Sequence, residues 1–335
     1  MKVLVISNMY PGKNSYLGTF IKQQVKDMEN EGLRTTKVVK DRKTYFAYVP
    51  FILKNIFYLL FASYDIIHAY YGFHSALFAA IIKRRPLIIT FVGSDALKEP
   101  SRNKVYRILQ KFVIARSDHI IAVSSKIKNV LISDLGADSN KISVITFGID
   151  FDLFKPSPQD KVREKLGFPS NMKLVLFPSN PQRIEKRFDI FSRAVELVRE
   201  ENQNILPVIL SNNRRSYSEV PLVMNACDVL VLTSDSEGSP TVIKEALACN
   251  LPVVSVDVGD AQEVIKDVAN CYVCKQEPVD IAESIKLVLD KKTRAAGRDN
   301  IKHLSSKTIA TKIIEVYTQI TKVVYENINH GNSRF

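Results

Sequence analysis

Cysteine is scarce. Four in 335 residues are too few and too scattered for the disulfide framework of a small secreted domain. No apolar run reaches the ~18 uncharged residues that a transmembrane helix needs. The opening Val3-Leu4-Val5-Ile6 follows a single lysine and reads as a strand. It lacks the long apolar stretch and small-residue cleavage site of a signal peptide, so a reducing, cytoplasmic setting is expected. No G-x-G occurs, which removes the dinucleotide fingerprint. The phosphate loop G-x4-G-K-[ST], H-E-x-x-H and G-x-S-x-G are absent too. Cys271-Tyr272-Val273-Cys274 is a lone C-x-x-C inside a strand pattern, with no second cysteine or histidine pair nearby. It reads as strand packing, not as a metal or redox site. The five histidines are scattered, and a lone histidine is more often structural than catalytic.

The rest of the composition is that of an ordinary soluble chain of two or three domains, with 46% hydrophobic and 24% charged residues. Charge is uneven. Residues 1–150 hold 22 Lys+Arg against 11 Asp+Glu, a balance of +11; residues 151–335 hold 25 against 24, a balance of +1. A basic half suits an acidic partner, such as an anionic membrane, a phosphorylated substrate or nucleic acid; the plainer reading is surface lysine that serves solubility. A nucleic-acid reader needs aromatic-interleaved basic strands or a recognition helix, and neither is found.

Strand and helix patterns alternate. Short apolar runs predict strands at 2–7, 65–68, 87–91, 119–123 and 142–146, with helical spacing between them, as at 75–83 and 125–135. Two prolines within 154–159 read as a linker. Alternation restarts with strands at 174–177, 208–210, 229–232, 253–256 and 271–274, and the last ~45 residues look helical throughout. The pattern predicts two doubly wound α/β domains facing across a cleft, with ligands at the carboxyl ends of the strands.

One segment carries chemistry. After the strand at 229–232 come Ser234-Asp235-Ser236-Glu237-Gly238-Ser239-Pro240-Thr241, with Ser239 the expected helix cap and Pro240 the first helical residue. The helix runs to about Cys249, and Asn250 suits a left-handed turn. A helix start at a strand's carboxyl end favours an anion such as phosphate. Glu237 stands in the loop, and Glu245 lies about 7.5 Å up the axis from Pro240. Two acceptors flanking a phosphate site suit a ligand with hydroxyls at both ends.

The spacing from Glu237 to Glu245 is E-x7-E, set as E-G-S-P-x-V-I-K-E-A-L-A-C-N-x-P-V-V. It resembles the donor-site motif of family 4 glycosyltransferases, retaining enzymes of the GT-B fold. Asn225-Ala226-Cys227-Asp228, Asp257-Val258-Gly259-Asp260, Phe147-Gly148-Ile149-Asp150, Gly93-Ser94-Asp95 and Gly18-Thr19-Phe20 resemble further segments of that family in the right order, so the resemblance spans nearly the whole chain.

The resemblance implies an acceptor-binding domain over 1–155 plus a terminal helix at about 306–328 that crosses back to it. It implies a nucleotide-sugar domain over 156–310. Glu237 would contact the transferred sugar; Gly238, Ser239, Pro240 and Thr241 would line sugar and phosphate; Glu245 would hold the ribose. Arg183 and Lys186 would bind the diphosphate, although the family usually spaces that pair five apart and Pro181 stands in the usual arginine place. Gly18, Gly93, Ser94 and Asp95 would line the first domain's side of the site. Many members carry histidine where this chain has Val92; His68, His74 or no histidine takes that role here. The implied reaction moves a hexose from a nucleotide diphosphate to a hydroxyl of a glycan or lipid-linked acceptor of cell-surface polysaccharide assembly. The alternative is a nucleotide-sugar 2-epimerase on the same fold. No metal or other cofactor is expected, because the helix start, Arg183 and Lys186 can neutralise the diphosphate.

Residues 45–64 are apolar and aromatic, with Arg42, Lys43 and Lys54 at or within them. Lys83-Arg84-Arg85 and then Lys98, Arg102, Lys104, Arg107 and Lys111 add basic residues. This composition fits a helix lying in a membrane interface at the inner face, or equally a buried helix covering the sheet.

Overall fold

The computed structural model describes residues 1–12, 18–42, 44–97, 104–211 and 216–329, with side chains as far as residue 323. Lys43, Lys98, Arg102 and part of the loop after the first strand lie outside the described residues. The chain divides into two compact units. One is Met1–Gly148 with the segment from Ser306 onward; the other is Ile149–Ser305.

In the first unit β1 (Lys2–Ser7), β2 (Arg34–Val39), β3 (Ile66–Tyr70), β4 (Leu87–Phe91), β5 (His119–Ala122) and β6 (Ile142–Val144) form a parallel sheet in the order β2-β1-β3-β4-β5-β6. Every residue of β3 and β4 is buried, as central strands covered on both faces require. β2 was not expected. Its sequence, Arg-Thr-Thr-Lys-Val-Val, is that of a half-exposed edge strand and carries no continuous apolar run. The second unit holds β7 (Lys173–Phe177), β8 (Ile205–Ile209), β9 (Val229–Leu232), β10 (Val253–Val256) and β11 (Tyr272–Cys274), also parallel, in the order β11-β10-β9-β7-β8.

The proline-rich stretch 154–159 is not a free linker. Phe154 is fully buried with its ring centroid 5.5 Å from that of Tyr217, and the Ser157 N–H donates to Asn225 Oδ1 at 2.8 Å. The units part at 148–149, ahead of it. The tail is not one continuous helix either. Helix Pro278–Lys291 stops at Lys292, at φ 50°, where the chain leaves to lay Arg294 against the carbonyls of Cys227 (2.7 Å) and Cys249 (3.1 Å). Two short turns precede the last helix, Ser306–Asn329, which packs on helix Thr19–Asn30 of the first unit. Cys271 and Cys274 are bonded into β10, one accepting from the Val253 N–H and the other donating to the Ser255 carbonyl, and burial pushes both thiols up to about 11.

Candidate active site

Chain order reverses beside the first strand of each sheet, between β1 and β3 and between β7 and β9. Loops leaving the two strands at such a point diverge and open a crevice at their carboxyl ends. In the second unit those loops are 178–187 and 233–240, which carry Arg183, Lys186, Glu237, Gly238, Ser239 and Pro240.

Bonds to backbone carbonyls tie the two loops together. Thr233 Oγ1 donates to the carbonyls of Lys186 (2.9 Å) and Arg187 (3.0 Å), and the Asp235 N–H donates to the Glu185 carbonyl at 3.0 Å. Arg187, at φ 52°, turns the chain into helix Phe188–Glu201 and pairs with Asp189 (3.0 Å) and Asp235 (3.2 Å). On this frame Lys186 is buried, and its Nζ donates to Glu237 Oε1 at 2.5 Å. Ser234 Oγ donates to the same oxygen at 2.8 Å. Lys186 and Glu237, 51 residues apart, therefore meet as one cation–carboxylate pair. Arg183 is not part of it: its side chain is 54% exposed and pairs with Glu185 at 2.7 Å.

The helix after the second loop runs Thr241–Ala248, and Asn250 takes a left-handed φ of 54°. Its cap differs from expectation. Pro240 is the N-cap residue and no side chain caps the helix. Ser239 is drawn away because its hydroxyl donates to Asp260 Oδ2 at 2.9 Å and accepts from Lys244 Nζ. The positive end of the helix is thus left without a side-chain acceptor, which suits an anion. Lys244 is fully buried and pairs with Asp260 at 2.7 Å, and Asp260 Oδ1 has no hydrogen-bond partner. Burial pulls the Lys244 ammonium below its ordinary pKa, and the Asp260 carboxylate opposes that shift. Gly259, at φ +58°, lets this pair sit against the motif loop: a Cβ there would meet Pro240 Cδ at 2.9 Å and the Gly238 carbonyl at 3.0 Å. The pair therefore anchors Gly238, Ser239 and Pro240 from beneath.

Glu245 is buried on the same helix and accepts from the Tyr217 hydroxyl at 2.8 Å. Burial pushes its carboxyl up to about 7, and the tyrosine bond opposes this. Tyr217, Ser234, Lys244 and Asp260 were missed as site residues. Asp260 stood within the Asp257-Val258-Gly259-Asp260 segment. A lysine inside a helix ordinarily reads as solvated surface, so nothing flagged Lys244.

In the first unit Gly18 caps helix Thr19–Asn30 at φ 76°; a Cβ there would lie 2.3 Å from the Met9 carbonyl, so the turn after β1 requires glycine. After β4, the buried Asp95 carboxylate accepts from the Gly93 N–H at 2.8 Å and the Val92 N–H at 3.1 Å, and Ser94 Oγ meets the Tyr71 hydroxyl at 2.9 Å. Gly93, Ser94 and Asp95 thus form one self-bonded turn at the sheet's carboxyl end. Of the two histidines considered in place of Val92, His68 is fully buried within β3, bonded to Tyr317 and to Thr90 Oγ1 (2.6 Å), and burial lowers its pKa to about 3. It is structural. His74 is half-buried in the first turn of helix Gly72–Ile82, 3.3 Å from the Tyr106 hydroxyl and beside the rings of Tyr48, Tyr71 and Phe73. The sequence contains one D-x-D, Asp150-Phe151-Asp152. The Asp150 carboxylate accepts from the N–H groups of Asp152 (3.0 Å) and Leu153 (2.9 Å) and so caps its own turn.

Two parallel α/β units with a charged crevice at one switch point define a GT-B protein, and family models agree. Residues 3–153 match the model described as Glycosyltransferase Family 4, and residues 208–304 match that described as Glycosyl transferases group 1. The chain belongs to this glycosyltransferase family. It is 30% identical to an uncharacterized glycosyltransferase of Methanocaldococcus jannaschii, over 72% of this chain and 71% of that one. It is 27% identical to a Bacillus subtilis glycosyltransferase whose name assigns it to teichuronic acid biosynthesis, over 66% and 60% of the two chains. The crystal structure of Anabaena HepE in complex with UDP superposes with a TM-score of 0.73 at 19% identity, over 95% of this chain and 100% of that one; this likeness shows the fold.

Proposed function

We propose that the protein is a retaining hexosyltransferase. It moves a sugar from a nucleotide diphosphate to a hydroxyl of a lipid-linked or polysaccharide intermediate in cell-surface glycan synthesis. The observation that carries this reading is the Lys186–Glu237 pair beside the uncapped start of helix Thr241–Ala248. The teichuronic acid relative and the UDP-bound structural neighbour support the acceptor and donor classes. Retention rests on the resemblance of the E-x7-E block to the family's motif.

In this reading the helix start and Lys186 face the diphosphate, which gains negative charge as the glycosidic bond breaks. Their charge is already in place and oriented, and the reaction proceeds without a metal. Glu237 holds the Lys186 ammonium and accepts from a hydroxyl of the departing sugar. Gly238, Ser239, Pro240 and Thr241 line sugar and phosphate, and Glu245 accepts from a ribose hydroxyl. In the first unit the turns at Gly18 and at Gly93, Ser94 and Asp95 face the acceptor.

The test begins with a panel of nucleotide sugars, read by thermal stabilisation and slow hydrolysis. A donor at a hundred times its Kd adds ~2.7 kcal/mol of stability. With that donor, Glu237→Gln lowers kcat by ~10–150-fold, the worth of one charge-assisted bond in the transition state. A chelator leaves activity unchanged, and NMR of the product shows the donor's anomeric configuration. Near-wild-type kinetics for Glu237→Gln, or a metal requirement, overturns the site assignment. Conversion of the nucleotide sugar to its epimer without acceptor replaces the reading with the epimerase.

A further inference from the structure

Helix Tyr48–Phe61 and the turn before it are inside out for a surface helix of a soluble protein. The side chains it buries are Phe51, Asn55 and Leu59, and the Asn55 amide has no hydrogen-bond partner. Its outer side carries Tyr45, Val49, Leu53, Phe57 and Phe61, spaced four apart and all exposed; Tyr45 is 90% exposed and Phe57 58%. A surface helix of a soluble protein puts its wider apolar stripe inward. Here more large apolar side chains face out than in.

Two further helices of the unit carry exposed apolar side chains. Gly72–Ile82 packs between Tyr48–Phe61 and Lys104–Arg116. It adds exposed Ile81, and Lys104–Arg116 adds exposed Val105, Ile108 and Phe112. The charges on these helices are of one sign. Segments 42–64, 72–86 and 104–117 contain no aspartate or glutamate, while Lys54, Arg84, Arg107 and Lys111 are exposed among them. Whatever covers the face must be apolar in one layer and negative in another. A second copy of the chain would bring cations against cations.

We propose that this three-helix face of the first unit docks on an anionic lipid bilayer, with the aromatic and aliphatic stripe among the acyl chains and the basic residues at the headgroups. No described helix is long and apolar enough to cross a membrane, so helix Tyr48–Phe61 lies in the plane of the interface. The helix does cover the sheet, through Phe51 and Leu59, but Val49, Leu53, Phe57 and Phe61 on its other side are left exposed. The inference goes beyond glycosyl transfer and is tested without donor or acceptor.

The experiment is flotation of the full chain with vesicles of phosphatidylcholine alone and of phosphatidylcholine with phosphatidylglycerol. The protein floats with the anionic vesicles, and its partition falls at least about tenfold between about 0.05 and about 0.5 M salt. Phe57→Asp and Ile108→Asp each lower partition about tenfold or more at both salt concentrations. Val279→Asp, at an exposed apolar residue of the second unit, leaves it unchanged. Thermal unfolding confirms that each variant is folded, and Phe57→Ser replaces Phe57→Asp if the charge prevents folding. Absence of flotation at low salt overturns the proposal, as does unchanged partition of the folded face variants. A wild-type dimer in sedimentation that Phe57→Asp or Phe57→Ser dissociates also overturns it, and makes the face a self-contact.

Discussion

At the crevice of the second unit the ionisable side chains come in pairs: Lys186 with Glu237 and Lys244 with Asp260. At the equivalent place in the first unit the Asp95 carboxylate is held by backbone N–H groups, and beside it stand hydroxyls, aromatic rings and one half-buried histidine: Tyr71 with Ser94, and His74 with Tyr106. The architecture is the same, and the chemistry differs. Paired charges held on fixed backbone are oriented before any ligand arrives, which suits stabilisation of charge that develops during reaction. Rings and hydroxyls suit a neutral, many-hydroxyl ligand. Burial also lowers the pKa of His68 in the first unit and raises that of Glu245 in the second.

The contrast is tested most severely by charge deletion. Lys186→Ala leaves the Glu237 carboxylate with Ser234 alone and is expected to lower kcat at least about a hundredfold. Arg183→Ala, at an exposed pair with Glu185, is expected to cost less than about tenfold in kcat/KM. Equal effects of the two variants, measured under steady-state conditions, would show that burial of the lysine does not matter.

Next comes the anchoring pair. Lys244→Met leaves a buried carboxylate without its cation and is expected to cost about 3–5 kcal/mol in urea unfolding, while Lys244→Met with Asp260→Leu recovers much of that. Full additivity of the two substitutions would remove the pair from the account of the loop.

Spread over several pH units are the effects of pH, and the two units are expected to respond with opposite signs. His68 has a folded pKa of about 3, below its ordinary 6.5, so the unfolded state binds more protons between those values. Its contribution is present above pH 6.5 and is lost as pH falls toward 3. Glu245 is raised from 4.5 to about 7, so the folded state binds more protons in that window, and stability falls as pH rises through it. Each slope integrates to a few kcal/mol, because a tenfold change in proton affinity is worth about 1.4 kcal/mol. His68→Gln should abolish the first slope and Glu245→Gln the second, in unfolding followed from pH 4 to 8. If a ribose hydroxyl donates to Glu245, nucleotide binding releases a proton near neutrality, and calorimetry in buffers of different ionisation enthalpy reads it.

Much of this was legible in the chain itself, for identifiable reasons. Val3–Ile6 and Val229–Leu232 are continuous apolar runs, and a strand buried on both faces has no other way to be written. The Glu237 to Glu245 block fixes a loop, a helix start and two carboxylates in one stretch of sequence. What could not be read depends on contacts between distant residues. Ser239 has every local qualification of a helix cap, and only Asp260, 21 residues on, turns its hydroxyl elsewhere. Arg183 has the right charge in nearly the right place, but Glu185 lies two residues away and takes it. Residues 48–61 have the same apolar composition whether they face a sheet or a bilayer; direction is a tertiary property.

The return of the last helix to the first sheet has a consequence for how the molecule assembles. Tyr317 and His68, 249 residues apart, meet in the first unit's core, so that core cannot close until residue 317 has been made. The second unit is one uninterrupted segment and can fold as soon as residue 305 is available. Its folding pairs Ile149 with Ser305 and brings the Ile149 N–H to the Leu304 carbonyl at 2.9 Å. The loop that must close to seat the final helix then shrinks from most of the polypeptide to a short bridge, and the entropy opposing that closure shrinks with it. During synthesis, a segment made after the second unit completes the structure begun before it.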